Sequence, residues 1–69
     1  MVEYKGFLIA PGEFVYRAPA SFSVLRPEKS GAVVIHQGAV KARFRTAKGA
    51  TEAAIAAGRT YIDSLSRSD

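Results

Sequence analysis

The chain changes its period at Thr46. Before it, "AVKARFRT" alternates, with Val40, Ala42 and Phe44 on one side and Lys41, Arg43 and Arg45 on the other. That is the pattern of a half-buried antiparallel strand. After it, small and apolar residues recur at helical spacing: Ala47, Ala50, Ala54, Ala57 or Gly58, Tyr61, Ile62 and Leu65. Six alanines between 47 and 57 favour the helix further, alanine being the strongest helix former. Thr46 is a good N-cap type, but Gly49 occupies the third helical position, so no capping box can form. The pattern predicts one helix at about 47–65, with Lys48, Glu52, Arg59, Asp63 and Ser66 on its polar face. Gly58 falls on the apolar side, which implies a close approach to whatever the helix covers. The polar tail "SRSD" is expected to fray.

Everything before Thr46 must supply the layer on which this helix packs. Glu3 to Ala10 predicts a strand, with Gly6 weakening it and marking a bulge or a close backbone approach, and "PG" at Pro11 and Gly12 closing it. "EFVYRAPA" predicts an edge or an irregular connection, because Pro19 has no N–H to give a ladder. "SFSVLR" alternates as a second strand, with Phe22 and Val24 facing one way and Ser21, Ser23 and Leu25 the other. "RPEKSG" suits a turn with Pro27 in its second place. "AVVIHQ" is a third strand by its β-branched content. Residues 32–45 fit either two strands turning at Gln37 and Gly38 or one long bulged strand. The fold class is therefore α+β: a single β-β-β(-β)-α domain over 1–69, with an antiparallel sheet of three or four strands and one C-terminal helix packed on a face.

A chain of 69 residues has a small core. It has no cysteine, which excludes disulfides and thiolate metal sites, and one histidine, His36, which would need carboxylates beside it where only six acids are scattered along the chain; no metal and no cofactor is expected. Packing alone, or a second copy of the chain, must do the rest. The apolar runs "FLIA" and "AVVI" are too short to span a bilayer, and "MVEYKGF" is not a signal peptide, so the expected location is cytoplasmic with no membrane partner.

The C-terminal "FRTAKGATEAAIAAGRTYID" resembles the closing motif of small bacterial β-β-β-α proteins that have no established activity. Their pattern is matched by Phe44, Thr46, Ala50, Ala53, Gly58, Tyr61, Ile62 and Asp63. Their opening motif, Y-(K/R)-G-(F/Y)-x-I, is matched by Tyr4, Lys5, Gly6, Phe7 and Ile9. The resemblance spans both ends of the chain, leaves residues 11–40 unmatched, and implies a fold rather than a function. The strand-to-helix ending also resembles the partial double-stranded-RNA-binding-like fold of antitoxins of the HicB type. Their glycine-tryptophan and proline-glycine motifs and their separate DNA-binding segment are missing here.

The net charge of +4 resides in Lys41, Arg43, Arg45 and Lys48, because the other six basic and six acidic residues cancel. Lys41, Arg43 and Arg45 would form a basic ridge able to meet phosphates, with Phe14, Tyr16 and Phe22 as stacking surfaces if they lie on the open sheet face. Arg45, Thr46, Lys48 and Gly49 would surround the positive end of the helix dipole, where an anion is favoured. No nucleophile or carboxylate pair points to catalysis. The expectation is a non-enzymatic binding or regulatory module contacting nucleic acid through a basic strand and helix N-terminus. The alternative is a protein-interaction module, a homodimer, with no nucleic-acid role. An aromatic-bearing open face and the aggregation-prone window "GAVVIH" favour that alternative.

Overall fold

The structure, a computed structural model, describes residues 1–65. The expected frayed tail and Ser66 lie outside the described residues. Four strands, β1 (Val2–Tyr4), β2 (Phe7–Pro11), β3 (Pro19–Glu28) and β4 (Gly31–Arg43), form one antiparallel sheet in the order β1-β2-β3-β4. Helix α1 (Ala47–Leu65) follows and lies across one face, so the bounds read from the helical period hold. The whole measures 35 × 31 × 15 Å, and its least dimension is that of one sheet and one helix.

The strand read over Glu3–Ala10 is two strands. Lys5 and Gly6 both take positive φ, 51° and 86°, and reverse the chain between Tyr4 and Phe7, which pair. Two positive φ values at the centre of a two-residue connection are the signs of a type I′ turn, whose twist suits a hairpin. Gly6 is thus a turn residue rather than a bulge. The second hairpin is equally tight. Pro27 and Glu28 still belong to β3, and Lys29 and Ser30 alone make the turn, with Glu28 paired to Gly31. Pro27 is therefore not a turn residue.

Residues 31–43 are one long bulged strand, and Gly38 is not a hairpin. A side chain there would meet Phe22: a Cβ on Gly38 would stand 3.0 Å from the Phe22 ring. Ile35 is the extra residue of the bulge, because His36 pairs Val24 while Val34 pairs Leu25. A second irregularity sets Lys41 and Ala42 between the partners of Ala20 and Pro19. Proline at the start of β3 has no N–H for the ladder, which gives this break a local cause. The alternation expected of Val40, Ala42 and Phe44 fails at the same place. Val40 and Phe44 pack on the core, but Ala42 is exposed.

Ile9, Val24 and Ile62 are fully buried, and Ala20, Phe22, Ala50 and Ala54 join them. On the helix the buried stripe is Ala50, Ala54, Gly58 and Ile62, spaced so that one residue per turn meets the sheet. Ala47 and Leu65, which the helical spacing placed on the buried side, are exposed at the two ends of the stripe. The small residues let the backbone of α1 come down on β2. A Cβ at Gly58 would lie 2.7 Å from Ile9 Cγ2, so the close approach expected at Gly58 is present. His36 also lies on this face, its ring stacked on Tyr61 with centroids 3.8 Å apart.

The first hairpin and the helix are tied together. The Tyr4 hydroxyl donates to Asp63 at 2.9 Å and Lys5 Nζ at 2.7 Å. Arg59 stands over the Tyr4 ring, 5.6 Å from its centroid. The first hairpin is thereby fastened to the last turns of α1.

Among the described residues no layer covers the second sheet face. Leu8, Leu25 and Val34 are register partners across β2, β3 and β4. Each is next to a residue that points to the helix or to a bulge, so the row lies on the uncovered side. It is aliphatic, and the aromatic-bearing open face expected from the sequence is not there.

Candidate nucleic-acid interface

The basic segment runs off the end of the sheet. β4 stops at Arg43, so Lys41 and Arg43 belong to the strand while Arg45 lies in the connection to α1. The three do not form a single ladder ridge, because the irregularity at Lys41 and Ala42 breaks the alternation that would align them.

Thr46 caps α1. Its Oγ1 accepts the Gly49 N–H at 3.1 Å, and its carbonyl accepts the Ala50 N–H at 3.1 Å. The hydroxyl and the Gly49 amide are therefore engaged with each other. First-turn donors not committed to the cap are the amides of Ala47 and Lys48. No acid occupies this first turn, so Lys48 adds its charge to that of the helix dipole.

The connection between β2 and β3, residues 12–18, folds over the same end. The Arg17 N–H donates to the Phe44 carbonyl at 2.8 Å, and Ala18 N–H closes a turn on the Val15 carbonyl at 3.0 Å. Arg17 has φ of 60°, a left-handed conformation that is costly for a side-chain-bearing residue. This contact brings Arg17 beside the basic segment and leaves Tyr16 exposed in the same loop. Their separation in sequence from residues 41–48 gives no sign of it; the weak hints are the proline at 19, which interrupts the strand pattern, and the unpaired charge of Arg17.

Arg17, Lys41, Arg43, Arg45 and Lys48 are all exposed, and none forms an ion pair among the described residues. Of the described cations elsewhere, Lys5 is bonded to Asp63, Arg26 to Glu28 at 2.6 Å, and Arg59 lies over Tyr4, while Lys29, in the turn at the far end of β4, is exposed and has no ion pair. Glu13 and Glu52, carried by the same loop and helix, pair with none of these five cations. One end of the molecule thus carries five unneutralised cations.

The proposed stacking residues divide. Phe22 is buried under the helix, and Phe14 packs against the core. They cannot offer ring faces on the open side of the sheet; the apolar alternation that makes Phe22 conspicuous is the one that buries it. Only Tyr16 of the three is exposed, at 62%. A shallow open depression lined by Gly12, Ser21, Ser23, Gln37 and Gly38 lies on the sheet and was not apparent from the sequence. It carries hydroxyl and amide groups but no charge. His36 is held between Phe22 and Tyr61, and no group of three or more His, Cys, Asp or Glu capable of holding a metal occurs among the described residues. No described helix is long and apolar enough to cross a membrane. Compared with known proteins, the chain matches no family model, no curated protein sequence and no solved structure.

Proposed function

We propose that this protein is a small non-enzymatic binding module whose basic end holds nucleic-acid phosphates. The observation that carries the reading is the Arg17-to-Phe44 hydrogen bond, which gathers cations from two distant segments at the N-terminal end of α1. Unpaired exposed cations at such a place attract phosphate groups and release counterions on contact. Tyr16 adds one exposed ring on which a base can stack, which favours a single strand over a duplex.

The test is affinity for single-stranded DNA and RNA over a salt series. Binding should fall steeply with salt, and Lys41→Ala/Arg43→Ala/Arg45→Ala should weaken it and flatten the salt slope. Absence of binding at low salt would refute the reading.

A further inference from the structure

β4 is an edge strand, and among the described residues nothing pairs with one side of its ladder. The opposite edge, β1, is only three residues long, whereas β4 has 13. Short edges resist pairing with other chains, and charged residues protect long ones. Here the protecting charges, Lys41 and Arg43, are confined to the C-terminal end. From Gly31 to Val40 the strand has no Lys, Arg, Asp or Glu, and Val33 and Val34 are 46% and 48% exposed. The bulge at Ile35 and the irregular step at Lys41 and Ala42 bracket one regular run, His36–Val40. That run is where an added strand can meet an evenly spaced edge.

We infer that a second copy of this chain pairs with it, antiparallel, about a two-fold axis at Gly38. An isologous pairing of a regular run places the axis at its middle residue. In His36–Val40 that residue is Gly38. An axis residue meets itself, and glycine has no side chain to conflict with its own copy. Gln37 of each chain then lies opposite Ala39 of the other, and His36 opposite Val40. Charge selects the same arrangement. Antiparallel pairing sends the two basic ends in opposite directions, which keeps Lys41 and Arg43 of one chain away from Lys41 and Arg43 of the other. Parallel pairing would set Lys41 beside Lys41 and Arg43 beside Arg43, and like charges directly opposed are destabilising. The axis runs through the sheet, so both helices stay on one face and the two sheets of four strands become continuous. The proposal is independent of nucleic-acid binding.

The experiment is sedimentation of the full chain over a concentration series, with two double variants at exposed positions beside the axis. The chain should pass from monomer to dimer as concentration rises. Gln37→Lys/Ala39→Lys opposes lysines across the axis and should raise the dimer dissociation constant by at least about tenfold. Gln37→Lys/Ala39→Glu opposes a lysine to a glutamate and should restore the dimer. Unchanged circular dichroism would show that both variants fold. If either does not fold, amide exchange of the unaltered chain decides: residues 36–40 should gain protection as the dimer forms. A monomer at every concentration would overturn the proposal. So would a dimer indifferent to both variants, or one that gains no protection in β4, because either would place the contact elsewhere.

Discussion

Gly58 of the helix and Ile9 of the second strand are in direct contact, and the space for a side chain at Gly58 is already filled by the isoleucine. A Cβ there would stand 2.7 Å from Ile9 Cγ2 and 3.1 Å from its Cδ1. Two effects therefore compete in Gly58→Ala. Helix propensity favours alanine by about 1 kcal/mol. Overpacking a tight interface costs about 1–3 kcal/mol. Both neighbours are rigid, since Ile9 is fully buried and Gly58 lies within the helix, so overpacking wins. Gly58→Ala should be destabilising in urea unfolding. Ile9→Ala should cost about 2–5 kcal/mol alone. In the double variant the new methyl enters the vacated space, so the combined loss should fall short of the sum by about 1 kcal/mol or more. Strict additivity would mean that the two residues do not touch.

Thr46 couples the charged segment to helix stability. Its side chain accepts the Gly49 N–H, and no acid in the first turn shares the work. Thr46→Ala should cost about 1 kcal/mol, and Thr46→Asp should be neutral or stabilising, because a carboxylate both caps and opposes the dipole. Chemical denaturation measures both. A loss with aspartate as large as that with alanine would count against the cap.

The bonds of Tyr4 and Lys5 to Asp63 join residues 58 or more positions apart in the chain. Tyr4→Phe removes a part-buried hydrogen bond to a carboxylate and should cost about 1 kcal/mol. The hydrogen bond to Asp63 also holds the Lys5 ammonium protonated above the ordinary lysine range. A raised value in the folded state means that the stability from Lys5 is complete below the unfolded-state lysine value. It is lost as pH climbs through the raised folded value, above about pH 10.4. The difference in Tm between the parent and Lys5→Met should therefore be small and constant at neutral pH and should close in strong alkali. A difference that persists there would point to packing rather than charge.

The helix, its cap and the close approach at Gly58 were legible because each depends on residues near one another in the chain. Alternation likewise identified Phe22 and Val24 as one side of a strand. It could not say that Lys5 and Gly6 would turn rather than bulge, since glycine permits both and the choice rests on the strand partners. It also overextended the Val40–Phe44 pattern, because the break at Lys41 and Ala42 arises opposite Pro19, on another strand. The candidate site was legible in its charges and not in its extent. Arg17 enters through a backbone bond to Phe44, a long-range contact with no periodic signature.

That contact also supplies the sharpest test of the basic end as a phosphate-binding surface. Anisotropy of a labelled single-stranded oligonucleotide should be followed against salt for the parent, Arg17→Ala, Tyr16→Ala and Lys29→Ala. Lys29 is an exposed cation in the turn at the other end of β4 and serves as the control. Arg17→Ala should weaken binding and reduce the logarithmic salt slope by about 0.7, as expected for one lost phosphate contact on a single strand. Tyr16→Ala should weaken binding by about 1–3 kcal/mol with the slope unchanged, and Lys29→Ala should change neither. No binding at low salt, or equal losses from Arg17→Ala and Lys29→Ala, would contradict the assignment of this surface.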